Sequence, residues 1–434
     1  MDKGIEKFLT APSQSIPGQA GFDRLVGGAG LAGSVLDERL ARGLGRRTHV
    51  VDTTMFWSPA GGGVRRYLQT KHAWLARQPG WTHTIAVPID RSTRADADES
   101  ITALPALPMP GSGGYRLPLR RRAIAERLCG LAPDVIEAGD PFVVAWAAVD
   151  AARRSNAVAV AFCHSNVEMM ARLFAGRRLA NAAGRAMRAY ARRVYGRFDR
   201  VFAPSECMRG HLLDWGVDQV ACQPLGVDTS AFHPTRASTD WRIRMGYTDT
   251  SRVLVYAGRF APEKHLDVLA AAVDRLGPPY TLLAIGAGPR PPSGERVRVL
   301  PFLDGTEELA TALASADAFV HAGDQETFGL SVLEAMACGT PVVARSAEGL
   351  AELVDDTVGL GVPSGRAEAY AEAISALFAG GLEAKRHAAR ARAEAHAWDR
   401  VLPLLLAHYR SLLQGPATVD AQANLRAAAA MALR

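Results

Sequence analysis

From Thr48 onward the chain alternates short, continuous apolar runs with longer stretches whose apolar residues recur every three or four positions. The first pattern predicts strands buried on both faces. The second predicts amphipathic helices. "THVVDTTMF", "THTIAVP" (from Thr82), "DVIEAG" (from Asp134) and "VAVAFCHS" (from Val158) are predicted strands. "VRRYLQTKHAWLAR" is a predicted helix with Val64, Tyr67, Leu68 and Leu75 on one side. "DRVFAPSECMRGHLLDWG" predicts a strand, a turn at Pro204-Ser205 and a helix. "LGVDTSAFHPTRAST" breaks the alternation with Gly, Pro, Ser and Thr and is taken as a linker between two domains. The alternation then restarts with the strands "RVLVYAG", "YTLLAIGAG", "RVRVLPFL", "AFVHAG" and "TPVVARS". Between them lie the helices "HLDVLAAAVDRL", "TEELATALASA" and "GLSVLEAMACG". Strand–helix–strand order of this kind builds a parallel sheet. The fold class is therefore α/β, with two successive doubly wound units.

The expected organisation is an extension over 1–46, a first domain over 47–227 and a second over 228–395. A helix over 396–414 packs back toward the first domain, and a tail spans 415–434. The extension is rich in Gly, Ala and Ser without a clear period. At 434 residues the chain suits two domains better than one. Its five cysteines are scattered, with no CxxC, which argues against a disulfide framework and for a reducing, cytoplasmic setting. No apolar run reaches the ~18–20 residues of a membrane span. The net charge of +6 suggests an anionic partner.

Ligands of doubly wound sheets bind beyond the carboxyl ends of the strands, so chemistry is sought in the loops there. Gly61, Gly62 and Gly63 follow the first strand and open the first helix. Without Cβ atoms they permit close approach, and the helix offers unpaired N–H groups. An ordinary flexible connection remains an equal reading, and the string is neither GxGxxG nor a P-loop. In the second domain Arg259 lies just past the first strand, with Lys264 at a helix start. Two cations there suit a diphosphate, although a solvated basic turn would look the same. Glu326 follows a strand, Phe328, Gly329 and Leu330 open the next helix, and Glu334 lies eight residues after Glu326. Carboxylates at those positions can accept from sugar and ribose hydroxyls.

With these residues in view, the second half resembles the donor domain of the retaining GT-B glycosyltransferases. This is the large family 4-like group that includes sucrose-phosphate synthases and bacterial phosphatidylinositol mannosyltransferases. "GRFAPEKHLDVL", the Glu326-x7-Glu334 pair and "ETFGLSVLEAMACGTPVV" carry the likeness. "GGGVRRYL" and "FCHSN" extend it more weakly into the first half. The resemblance implies a GT-B architecture, two Rossmann-like domains facing a cleft. It implies transfer of a hexose from a UDP- or GDP-sugar to a lipid or glycan hydroxyl with retention. The nucleotide-sugar is a co-substrate, and no cofactor or metal is implied. Arg259 and Lys264 would hold the diphosphate, Glu326 the sugar hydroxyls and Glu334 the ribose. The amides of Phe328, Gly329 and Leu330 would hold the sugar or its phosphate, and Phe302 and Leu303 would lie near the base. Gly62 and Gly63 would face the diphosphate or acceptor across the cleft. His164 would lie beside the transferred sugar, in a positioning role. Read alone, it is equally a structural histidine.

Asp96-Ala97-Asp98 resembles a metal-binding DxD, but it lies in a polar loop after no apolar strand and is set aside. Nine arginines and one acid lie between Arg172 and Arg200, at helical spacing, with Leu179, Ala183, Met187, Tyr190 and Val194 as an apolar side. A solvated helix face and an anionic membrane surface on the inner face of the cell membrane are equal readings. Nucleic acid is disfavoured, because no stacking platform accompanies the charge. Two other functions stay open: a GT-B-fold sugar-nucleotide epimerase, and an inactive nucleotide- or membrane-binding homologue.

Overall fold

The computed structural model describes residues 46–58, 62–90, 100–109, 112, 114–303 and 305–414. All of the extension but Arg46, together with Gly61, Asp96-Ala97-Asp98 and the C-terminal tail, lies outside the described residues.

Two parallel sheets form. The first contains β1 (Thr48–Thr53), β2 (Trp81–Val87), β3 (Ile101–Ala103), β6 (Val135–Ala138), β7 (Val158–Phe162), β8 (Arg200–Ala203) and β9 (Val220–Cys222), in the order β3-β2-β1-β6-β7-β8-β9. A small antiparallel pair, β4 (Leu107–Pro108) and β5 (Arg116–Leu117), stands apart from it. The second sheet contains β10 (Arg252–Ala257), β11 (Tyr280–Ile285), β12 (Val297–Leu300), β13 (Ala318–His321), β14 (Val342–Arg345) and β15 (Gly359–Val362), in the order β12-β11-β10-β13-β14-β15. Strand order reverses at β1 in one sheet and at β10 in the other. The loops after those strands therefore lie at the two switch points where ligands of this fold class bind.

The apolar runs are strands because both faces are covered. Val50, Val160 and Phe162 pack in one layer, while Val51, Ile136 and Ala161 pack in another. The linker is not a loose tether. Leu225, Val227 and Phe232 are buried, and Val227 pairs with Ala397 in an isolated parallel bridge. The chain thus crosses between the lobes twice, side by side. After the second crossing, the helix Trp398–Leu413 lies against the first lobe. Its Tyr409 hydroxyl meets Lys71 Nζ at 2.7 Å, and the Tyr409 ring stands 6.2 Å from Phe202.

The basic helix Gly176–Tyr195 differs from its predicted face in one respect. Ala191, Val194 and Tyr195 are buried and Met187 packs against the core, but Leu179 points outward at 63% exposure.

Candidate active site

The carboxyl ends of the two sheets meet. Thr327, in the loop after β13, donates its hydroxyl to the backbone carbonyl of His164, in the loop after β7, at 2.9 Å. Ser205, after β8, donates Oγ to the Thr327 carbonyl at 2.8 Å. The same Ser205 Oγ accepts from Met208 N, so one hydroxyl caps the helix Glu206–Asp214 and ties it to the other lobe.

On the second lobe, Lys264 and Glu326 form a close ion pair. Lys264 lies in a short 3-10 turn, Pro262–Lys264, rather than on the helix that follows. His321 Nε2 lies 3.2 Å from the same carboxylate. Gly323 N–H donates to His321 Nδ1 at 3.2 Å, which leaves the ring proton on Nε2, aimed at Glu326. Burial alone would raise the Glu326 carboxyl. The charge of Lys264 and the bond from His321 outweigh it and hold the group below the ordinary carboxylate range. Glu326 is thus a fixed anion with acceptor capacity to spare. Arg259 pairs with Glu263 at 2.9 Å, and its side chain is 68% exposed.

Glu326 is followed by Phe328, which is buried, and by Gly329, whose φ of +104° suits glycine. A Cβ on Gly329 would also fall 2.5 Å from Leu350 Cδ2. The turn lets the helix Leu330–Ala337 start immediately, with its first amides unpaired within the helix. Glu334 is almost fully buried on that helix and forms a close ion pair with Arg66, from the first lobe. Gly63 sits opposite. A Cβ there would come within 2.7 Å of Leu330 Cδ1, whereas Gly62 faces open space. Gly63 therefore lets the two helix starts approach each other, and Gly62 leaves room between them. Phe302 and Leu303 follow β12, at the far edge of the second sheet; Phe302 is exposed and Leu303 packs on the core.

On the first lobe, His164 stacks on Phe162 at 4.4 Å and meets the edge of Tyr67 at 5.1 Å. Its Nε2 is withdrawn from solvent without a hydrogen-bond partner among the described residues. Loss of hydration pushes the ring down to about 3, and the charge of Lys71 pushes the same way. The imidazole is neutral at working pH, suited to a hydrogen bond rather than to carrying charge.

Beneath His164 lies a cluster that the pattern reading did not single out. Lys71 Nζ reaches Asp52 Oδ1 at 2.8 Å and Glu137 Oε1 at 3.0 Å. Tyr67 OH donates to Glu137 at 2.9 Å, and His83 Nε2 lies 3.0 Å from Asp52. Burial works to raise both carboxyls. Beside Lys71 and His83, Asp52 nonetheless ends lowered, whereas Glu137 ends raised. The signal was present as charges inside apolar runs: Asp52 in "VVDTT", Glu137 in "VIEAG", and Lys71 one turn from Tyr67. Arg66 was missed for a different reason, because its partner Glu334 comes from the other lobe; His321 was missed as the last residue of the apolar strand β13, although its partner Glu326 stands only five residues on.

Two lobes of this topology, with carboxyl ends facing and a carboxylate–lysine pair at the junction, define a GT-B glycosyltransferase. Solved structures agree on the fold. Sucrose-phosphate synthase from Thermosynechococcus elongatus superposes with a TM-score of 0.69 at 22% identity, over 85% of this chain and 100% of that one. The Anabaena protein HepE in complex with UDP and glucose superposes with a TM-score of 0.64 at 18% identity, over 83% of this chain and 99% of that one. The model for "Glycosyltransferase Family 4" matches residues 61–231, and that for "Glycosyl transferases group 1" matches residues 251–379. A GDP-mannose-dependent alpha-(1-6)-phosphatidylinositol dimannoside mannosyltransferase from Mycobacterium tuberculosis strain H37Ra is 30% identical over 82% of this chain and 95% of the relative. A GDP-mannose-dependent alpha-mannosyltransferase from Mycolicibacterium smegmatis is 34% identical over 66% of this chain and 76% of the relative. The chain belongs to the family 4 glycosyltransferases, and it is a glycosyltransferase of GT-B fold.

Proposed function

We propose that the chain transfers mannose from GDP-mannose to a hydroxyl of a lipid acceptor, with retention at the anomeric carbon. The observation that carries the reading is Glu326, fixed as an anion by Lys264 and His321, one residue from the bond that joins Thr327 to His164. The relatives named above support the donor and the acceptor class. Glu326 accepts from the sugar hydroxyls. Arg259 and Lys264 face the diphosphate and stabilise it as the bond to the sugar breaks. The first amides of the helix Leu330–Ala337 add a positive dipole end. Neutral His164 positions the sugar from the opposite lobe. The departing phosphate takes the acceptor proton, so the protein supplies orientation and electrostatics, and no metal takes part in the transfer. Glu334 holds the ribose once the donor competes with Arg66 for it.

A lipid acceptor requires access to a membrane surface. Leu173, Phe174 and Leu179 are exposed at the turn between the helices Val167–Phe174 and Gly176–Tyr195. Leu107, Met109, Leu117 and Leu119 are exposed around the β4–β5 pair. A second basic stretch, Arg120-Arg121-Arg122, is joined to the helix Gly176–Tyr195 through Trp146. Arg121 lies over its ring at 5.0 Å, and its Nε1 meets Tyr190 OH at 3.2 Å. Apolar side chains among arginines on one lobe suit an anionic lipid interface. Among the described residues no helix is long and apolar enough to cross a membrane.

The test is a donor panel of GDP-mannose, UDP-glucose and UDP-N-acetylglucosamine with phosphatidylinositol mannosides in anionic vesicles, with chelator present. Mannosylated lipid with an α-linkage by NMR is expected from GDP-mannose. Transfer from a UDP-sugar alone would replace the donor. Transfer only to a water-soluble acceptor, without vesicle binding at low salt, would replace the acceptor class.

A further inference from the structure

Near the contact between Ser205 and Thr327, three side chains from both lobes converge: Cys207, His211 and Glu348. Cys207 and His211 stand one turn apart on the helix Glu206–Asp214, which places them on one face. Glu348 comes from the second lobe, in the turn that follows β14. Its φ is +50°, a left-handed conformation uncommon for a residue with a side chain. Cys207 Sγ lies 3.7 Å from His211 Nε2 and 3.7 Å from Glu348 Oε2, and His211 Nε2 lies 2.9 Å from Glu348 Oε2. In tetrahedral zinc coordination, with ~2.3 Å to sulfur and ~2.0–2.2 Å to nitrogen and oxygen, neighbouring donor atoms lie about 3.3–3.6 Å apart. Two edges of the triangle are close to that spacing already, and the third need open only slightly.

We infer that Cys207, His211 and Glu348 bind a zinc ion that staples the two lobes together. The donor set selects the metal. A thiolate with an imidazole suits zinc and its thiophilic neighbours, whereas calcium and magnesium prefer oxygen ligands. Binding releases the thiol proton to solvent, and the thiolate and carboxylate balance the charge of the ion. Three protein ligands leave a fourth position for water. Two ligands belong to one lobe and one to the other, so the complete site exists only in this relative arrangement of the lobes. Zinc binding therefore favours that arrangement by mass action. The effect reaches the donor loop directly, because Gly349 N–H donates to the Glu326 carbonyl at 2.9 Å, one residue from the ligand Glu348. The surrounding geometry already supports the junction, since Glu352 accepts from Glu206 N at 3.0 Å and from Cys207 N at 2.5 Å. The ion is separate from the transfer chemistry proposed above, and its binding does not depend on that reading.

The test uses the full chain, stripped with chelator, dialysed, and titrated with zinc chloride by calorimetry and with cobalt chloride by absorption. One ion per chain is expected, with a thiolate-to-cobalt charge-transfer band in the near ultraviolet. Cys207→Ser should abolish the band, and Glu348→Gln should weaken zinc binding at least tenfold. Thermal melts of the chelated variants check that each remains folded, and the wild-type cobalt spectrum needs no variant. Absence of the band, or a zinc stoichiometry unchanged by Cys207→Ser, overturns the site. Unchanged affinity in Glu348→Gln overturns the staple, because the ion would then be held by one lobe alone.

Discussion

Both lobes gather charge near the carboxyl ends of a parallel sheet, but to opposite effect. In the first lobe the cluster is closed. Lys71, Asp52 and Glu137 are at most 2% exposed and pair with one another, with Tyr67, Tyr409 and His83 completing the set. In the second lobe the cluster is open. Lys264 and Glu326 keep 16% and 22% of their side chains exposed, and the carboxylate accepts from only one side. The difference shows what separates a structural charge cluster from a binding one. A buried charge must find its partners within the protein. A charge meant for a ligand must be held in place while part of its capacity stays free. His164 lies where the two meet, resting on Tyr67 of the closed cluster and accepting through its backbone carbonyl from Thr327, the residue next to Glu326 of the open one.

Substitutions can break the contrast. The largest effect is expected for Glu326→Ala, which should lower turnover about 10³-fold, or ~4 kcal/mol, in a chain that still folds, though with a lowered melting temperature because Lys264 loses its partner. Initial rates with saturating donor measure it; loss of fold instead of rate would make the open cluster structural. Lys71→Met should act in the opposite sense. It leaves Asp52 and Glu137 without their cation and costs about 3 kcal/mol of stability, read by urea denaturation. Nucleotide affinity of the folded fraction should stay within about twofold of wild type, near 0.4 kcal/mol. His164→Ala tests the junction. A positioning role predicts a turnover loss of about 10²-fold, some 2.7 kcal/mol, with little change in nucleotide binding by calorimetry. The smallest effect is on pH dependence. Burial pushes His408, behind Phe202, down to about 4. The unfolded chain then binds the extra proton between pH ~6.5 and 4, so stability falls with decreasing pH by at most ~1.4 kcal/mol per unit from this group. In His408→Phe that part of the slope should vanish from the urea midpoints at pH 7 and pH 5.

Much of this was legible in the chain. Strands buried on both faces appear as largely apolar runs, so β1, β2, β6 to β8, β10, β11, β13 and β14 could be read directly, whereas the exposed edge strand β12 showed as Val297 and Val299 alternating with arginines. The ligand-facing loops followed from them, because parallel sheets place sites after strands. The edge strands β3 and β9 were missed because three residues carry little periodicity, and β15 because two of its four residues are glycine. The pairings were illegible for another reason. Lys71 meets Tyr409 across 338 positions, and Arg66 meets Glu334 from the opposite lobe. No local spacing encodes such contacts. A charged residue in an apolar run announces that a partner exists without saying where. Leu179 illustrates the converse: helical periodicity gave it a buried side, but burial also needs something to be buried against.

The helix Trp398–Leu413 bears on how the molecule is made. Synthesis runs from the amino end, so the lobe containing β1 emerges first and would ordinarily fold first. Yet its Lys71 cluster lacks a hydroxyl until Tyr409 leaves the ribosome, after the whole second lobe. The lobe begun first is finished last. A nascent chain halted before Trp398 should therefore carry a protease-resistant second lobe tethered to a protease-sensitive first one, a reversal of the order in which the ribosome delivers them.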